Sequence, residues 1–158
     1  MPNWVSNTVV VTSDQPTELE KLYNIFDSDA PFNTLNPEPD WSIIPDDKGV
    51  IPAKEVTKIK DMDGNTKELV ILRWPDGSQD MRWRSWRSEH WGCKWDIDVD
   101  YIDYSVGNNL LVMEFVTPWS PPDAIYEKLC DMGYEFLRWA WQDEDPSFGG
   151  DLTVLSRR

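Results

Sequence analysis

The sequence predicts an α+β fold with a ferredoxin-like core, on three observations. Residues 19–26 and 125–132 place apolar side chains at the spacing of a helix with one buried face. The stretches around them are β-branched or alternate in polarity, as strands do. With residues 29–92 set aside, the order reads strand, helix, strand, strand, helix, strand, plus one more hairpin strand, which is the split βαβ order. At 158 residues, one domain spanning 1–158 is expected, with a Pro-rich, partly β insertion at about 29–92.

The first strand is expected at residues 4–12, where Val5, Val9, Val10 and Val11 supply β-branched bulk. Asp14 is placed to cap a helix that Pro16 opens, with Leu19, Leu22, Tyr23 and Phe26 as its buried stripe and its end near Asp27-Ser28. Residues 29–54 carry Pro31, Pro37, Pro39, Pro45 and Pro52 and read as an irregular connection packed down by Phe32, Leu35, Trp41 and Ile43. Residues 56–60 and 68–73 flank Asp63-Gly64, a hairpin signal. After the turn Pro75-Asp76-Gly77, Ser78 is placed to cap a short helix running to about His90.

From Lys94 the pattern alternates. Trp95, Ile97, Val99 and Tyr101 fall on one side of an expected strand, Asp96, Asp98 and Asp100 on the other. A turn at Gly107-Asn108-Asn109 leads into residues 110–116, apolar on both faces and therefore a central strand. Ser120-Pro121 starts the second helix, with Ile125, Leu129 and Met132 buried and Gly133 as its stop. Strands at 134–142 and 148–155 close the chain around the acidic turn Asp143-Glu144-Asp145-Pro146. The central core is expected to contain Val9, Leu22, Phe26, Val99, Val112, Leu129 and Phe136.

Twenty-nine acidic against 15 basic residues give a net charge of −14. A field of that sign disfavours general binding to nucleic acid, whose phosphates need Lys and Arg. It serves solubility, and it also suits attraction to a basic protein surface. No apolar run approaches the ~20 residues of a membrane span, and the N-terminus has no secretory signal pattern. The two cysteines, Cys93 and Cys130, match no metal or redox spacing, so they are expected to be unbridged in a reducing cytoplasm.

Several segments resemble one family. Met1-Pro2-Asn3-Trp4 with Asn7, then Phe32, Leu35, Pro37 and Pro39, are similar to the opening of the phage and plasmid proteins of the YubB ferredoxin-like domain family. Trp83, Trp86 and Trp91-Gly92-Cys93-Lys94-Trp95-Asp96 resemble its Trp-Gly-Thr-Lys-Trp-Asp signature. Phe115, Thr117 and Trp119-Ser120-Pro121-Pro122 are similar to its Phe-x-Thr-x-Trp-Ser-Pro-Pro motif, and Phe148 and Gly150 to its closing Phe-x-Gly. The chain departs from the pattern at Val5, where many relatives carry Cys, at Cys93, where Thr is usual, and at Asp143 and Asp145, where Glu and Gly are common. The resemblance implies a ferredoxin-like fold and a virus or mobile-element origin, and no activity.

If residues 79–91 are helical, Trp83, Trp86 and His90 share a face with Arg82, Arg84 and Arg87 around it. Such a face is a Trp/Arg platform for a protein hot spot or for stacking unpaired bases, or it is core with arginines paired to carboxylates. Asp96, Asp98 and Asp100 read as a solvated acidic strand face or as a row that meets a basic partner. A metal reading lacks a first-strand carboxylate and a phosphate-gripping loop. His90 and Cys93 are three residues apart, yet no flanking motif supports a nucleophile pair. Asn3, Asn7 and Lys94 form either a polar site or backbone supports at strand ends.

The expected function is that of a phage-encoded, non-enzymatic accessory protein, without cofactor or metal, in the host bacterial cytoplasm. It would bind and occlude a host protein with a basic surface, through Trp83, Arg84, Trp86 and Arg87 together with Asp96, Asp98, Asp100, Asp143, Glu144 and Asp145. The alternative is a single-stranded nucleic-acid-binding module built on the same Trp/Arg platform.

Overall fold

The computed structural model describes residues 3–155, so Met1 and Pro2 of the opening motif lie outside the described residues. It is a mixed α+β architecture in which a five-stranded antiparallel sheet runs in the order β4-β5-β1-β6-β7. The strands are β1 (Trp4–Thr12), β4 (Tyr101–Ser105), β5 (Leu110–Pro118), β6 (Glu135–Asp143) and β7 (Gly149–Asp151), and β2 (Ala53–Lys60) and β3 (Thr66–Arg73) form a separate hairpin. The helices are α1 (Pro16–Phe26), α2 (Pro31–Leu35), α3 (Arg82–His90), α4 (Asp123–Asp131) and α5 (Leu152–Leu155). The chain divides into two compact units, one made of the residues up to Pro37 with those from Arg87 onward, the other of residues 38–86.

In the larger unit, β1 is central because its alternation sends Val5, Asn7, Val9 and Val11 to one buried face. Leu111, Met113, Phe115 and Thr117 of β5 and Phe136 and Trp139 of β6 join them. Leu19, Leu22 and Phe26 of α1 and Ile125, Tyr126 and Leu129 of α4 cover that face, Phe26 stacking on Phe115 and Tyr126 meeting Trp139 edge-on. Burying such side chains contributes about 1.5–3 kcal/mol each relative to leaving them exposed. The opposite face carries Trp4, Ser6 and, across the ladder, Val116 and Gln142, all exposed. The β1–β6 register shifts between Val10 and Val11, and Leu137 is the extra residue, 58% exposed.

Of the expected core, Val9, Leu22, Phe26, Leu129 and Phe136 are buried. Val112 is half-buried, because its register with Val10 puts it on the face away from the helices. Val99 is half-buried in a segment that is not a strand. Met132 is 49% exposed, since α4 ends at Asp131 before the stripe reaches it. The last strand is only Gly149–Asp151, because Leu152 turns inward to open α5. Asp14 does not cap α1; the residue at that position is Gln15, whose N–H is held by Ser13 Oγ.

The unit of residues 38–86 is organised differently, for none of its large apolar side chains is buried. Its centre is Arg82, whose guanidinium lies 5.0 Å from the Trp41 ring and 4.9 Å from the Trp74 ring. The same group donates to both oxygens of Asp80 and to the carbonyls of Trp41, Ile44 and Pro45. Asp80 also accepts the Arg82 N–H at the start of α3, the place expected for Ser78. Ser78 instead donates to Asp76 inside the preceding turn. With 10 acidic and 8 basic residues this unit carries −2, so the remainder of the chain carries −12.

Candidate functional site

At one end of the five-stranded sheet, three tryptophans from distant segments meet in the open. Trp4 opens β1 and pairs with Pro118 across the ladder, which brings Trp119 beside it. Trp95 stands between them, its ring centroid 6.1 Å from Trp4 and 5.5 Å from Trp119. Trp4, Trp95 and Trp119 are 39%, 39% and 44% exposed. Lys94 reaches over the Trp119 ring, Nζ to centroid 4.7 Å.

Trp119 is presented by a tight turn that its own backbone resists. Its φ of 64° lies in the left-handed region, where a bulky side chain is a genuine outlier. The turn is closed by the Ser120 N–H on the Pro118 carbonyl, and the Trp119 N–H donates to the Asn3 carbonyl. A buried polar chain holds it from below. Trp139 Nε1 donates to Asn7 Oδ1 at 3.1 Å, Asn7 Nδ2 donates to Thr117 Oγ1 at 3.0 Å, and Thr117 Oγ1 donates to the Ser120 carbonyl at 2.7 Å. Ser120 Oγ then donates to the carbonyl of Gly92, at 2.6 Å. Gly92 has φ 88° and lies against the start of α4, where an added Cβ would sit 2.6 Å from the Asp123 nitrogen.

The acidic turn lies on the other flank of Trp4. Val5 pairs with Asp143 in β6, and Glu144 accepts the Trp4 N–H at 3.0 Å. Asp143 accepts the Asp145 N–H and Asp145 the Ser147 N–H, so the turn is self-braced with Glu144 and Asp145 exposed. An exposed aromatic cluster thus sits beside carboxylates, a combination suited to an apolar anchor with cationic neighbours.

The site residues expected from sequence fall into separate settings. Asn3 contributes its carbonyl, Asn7 is 1% exposed and acts through the buried chain, and Lys94 lies at the cluster. Asp143, Glu144 and Asp145 lie beside it. Asp96, Asp98 and Asp100 do not form a strand face, because the strand begins only at Tyr101. Asp96 accepts the N–H groups of Phe32, Asn33 and Ile97, each at 2.9 Å, which fixes the start of α2 and pulls this segment out of extended pairing. Asp98 and Asp100 are exposed.

Trp83, Arg84, Trp86 and Arg87 lie on α3, none of whose residues is buried: Arg84 is exposed and the other three are half-buried. Arg87 donates to the Lys94 carbonyl at 3.1 Å and covers the Trp91 ring. The His90 carbonyl accepts from Asn36. Burial pushes the Cys93 thiol up to about 12, and its sulfur donates to the Trp95 carbonyl. That environment opposes the thiolate a nucleophile requires. Among the described residues, no group of three or more His, Cys, Asp and Glu side chains could hold a metal ion, and no helix is long and apolar enough to cross a membrane.

Trp4, Trp95 and Trp119 all belong to the motif segments quoted above, and that was the available signal. Their meeting depends on strand register and a strained turn, neither of which periodicity contains. Comparison of the chain with protein-family models, curated proteins and solved structures finds no match.

Proposed function

We propose that this chain is a ferredoxin-like accessory protein of phage or mobile-element origin that binds and occludes a basic surface on a host bacterial protein. The observation that carries the reading is the exposed Trp4–Trp95–Trp119 cluster flanked by the turn Asp143-Glu144-Asp145. Trp is among the residues most enriched where protein partners anchor, and a carboxylate rim supplies attraction and orientation for a cationic partner. The strand order β4-β5-β1-β6, with a helix between β1 and β4 and another between β5 and β6, supports the ferredoxin-like part. The origin rests on the motif resemblance alone, and the cytoplasmic setting on that resemblance together with the cysteine spacing. Relative to the surface expected from sequence, the anchor moves from the α3 tryptophans to this trio, and Asp96 leaves the set.

The test is affinity purification of the tagged chain from a bacterial host with nuclease treatment and mass spectrometry, run beside Trp119→Gly and an Asp143→Asn, Glu144→Gln, Asp145→Asn triple variant. A basic protein captured by the parent and lost from both variants is the expected result. Capture that survives both, or salt-sensitive binding of single-stranded oligonucleotides by the parent, would refute it.

A further inference from the structure

The hairpin of β2 and β3 has an edge that nothing in its own unit covers, and the chemistry of that edge is specific. The Asp61 N–H donates to the Asn65 carbonyl at the turn, and the Leu72 carbonyl accepts from Asp80 N–H on the far side of β3. Both bonds fix the same phase. Odd-numbered residues of the hairpin face across its ladder, and even-numbered ones turn their backbone groups outward. On β3 that outer edge is closed at its end by the segment through Gln79 and Asp80. On β2 the outward residues are Lys54, Val56, Lys58 and Lys60, and β2 pairs with no strand except β3 among the described residues.

A lone two-stranded hairpin is marginal in water. This one exposes Val56, Ile59, Leu69 and Val70 by 45–53% and has no large buried apolar side chain in its unit to lie on. Eight of the chain's exposed large apolar residues fall between residues 38 and 86, more than scattered surface exposure requires. The charges decide what covers the edge. A second copy adding β2 to β2 would oppose lysine to lysine. Nucleic acid would meet Asp61 and Asp63 at the hairpin tip. An acidic strand meets a carboxylate-matching lysine at three of the four outward positions.

We infer that β2 accepts an extended acidic segment of a partner protein as a third strand, in the β-augmentation mode. An antiparallel guest running past Lys60, Lys58, Val56 and Lys54 places acidic, acidic, apolar and acidic side chains at alternate positions. This surface is independent of the Trp cluster, and its failure leaves that reading untouched.

The test uses the full chain, isotopically labelled, with the synthetic peptide Glu-Thr-Glu-Thr-Val-Thr-Glu and its counterpart bearing Lys for Glu. The acidic peptide should shift the amide signals of Lys54, Val56, Lys58 and Lys60 and slow their hydrogen exchange, and the basic one should not. Val56→Pro removes an outward N–H without touching the β2–β3 ladder and should weaken binding tenfold or more. Should Val56→Pro unfold the hairpin, an acidic peptide N-methylated at its Glu and Val amides provides the same block and should fail to bind. Lys54→Glu, Lys58→Glu, Lys60→Glu in one chain should reverse the preference between peptides. No binding at millimolar peptide overturns the inference. So do shifts that map elsewhere, indifference to both blocks, a dimer of the chain through β2, or preferential oligonucleotide binding at the hairpin.

Discussion

The side-chain amide of Asn7 donates to the hydroxyl of Thr117, 110 positions further along the chain, and both groups are buried. The same amide accepts the indole N–H of Trp139, so one side chain ties the core of β6 to the turn that displays Trp119. Asn7→Ala deletes both bonds and strands a buried donor, which costs about 1–3 kcal/mol for each group left unsatisfied. Urea unfolding should show a loss of about 2–4 kcal/mol with an unchanged m-value. A loss under ~0.5 kcal/mol would mean the chain of bonds does not brace the turn.

Trp119 predicts the opposite division of effects. Glycine adopts a φ of 64° without strain, so Trp119→Gly relieves the backbone while removing 44%-exposed aromatic surface. Stability should stay within about 1 kcal/mol of the parent. Partner capture should fall, and near-ultraviolet circular dichroism should change through the lost contact with Trp95. Trp119→Ala, which keeps the strain and loses the ring, should be less stable than Trp119→Gly.

The two cysteines should separate under alkylation. With its thiol pushed up to about 12 by burial, Cys93 holds only about one thiolate in ten thousand at pH 8. Cys130 is half-buried. Native chain treated with iodoacetamide should therefore gain one label, at Cys130, by peptide mass mapping. Denatured chain should gain two. Rapid native labelling of Cys93 would place that thiol in a different environment.

Acid should loosen the hairpin unit through Asp80. Burial raises the pKa of this carboxyl, but the hydrogen bonds and charge of Arg82 outweigh it and leave the group below its ordinary value. A carboxyl lowered on folding stabilises above the unfolded value near 4 and loses that contribution as pH falls through its folded value. Protection of the β2 and β3 amides, measured against the exchange rate of the unfolded chain at the same pH, should fall below about pH 4. Asp80→Asn should produce the same loosening at pH 7, about 2–4 kcal/mol, by leaving the guanidinium of Arg82 without its charge partner. Exchange in the hairpin that is indifferent to both would show that the Arg82 contacts do not organise the unit.

Local pattern served well where neighbours in sequence decide the structure. The β-branched run of β1, the Asp63-Gly64 hairpin and the stripes of α1 and α4 are legible because each is set within a few residues. The alternating segment from Trp95 misled for the contrary reason. Its Asp96 is captured by backbone N–H groups at Phe32 and Asn33, more than sixty residues away, and Ile97 turns into the core. Helical spacing singled out Trp83 and Trp86. The exposed trio instead joins one residue from each of three motif segments: the pairing of β1 with β5 sets Trp119 beside Trp4, and Trp95 meets both rings. Arg87, expected on the same platform, is turned to the Lys94 carbonyl and the Trp91 ring.

The Arg82 cage also sets how the hairpin unit responds to temperature. Heat capacity rises on unfolding in proportion to apolar surface newly wetted. A unit centred on a cation between two rings, with none of its large aliphatic side chains more than half-buried, has less left to wet. Its free energy of opening should therefore curve only weakly with temperature, while the sheet and its helices account for nearly all the calorimetric step. Cooling would weaken the large unit's apolar core and leave the small one's ordering almost unchanged.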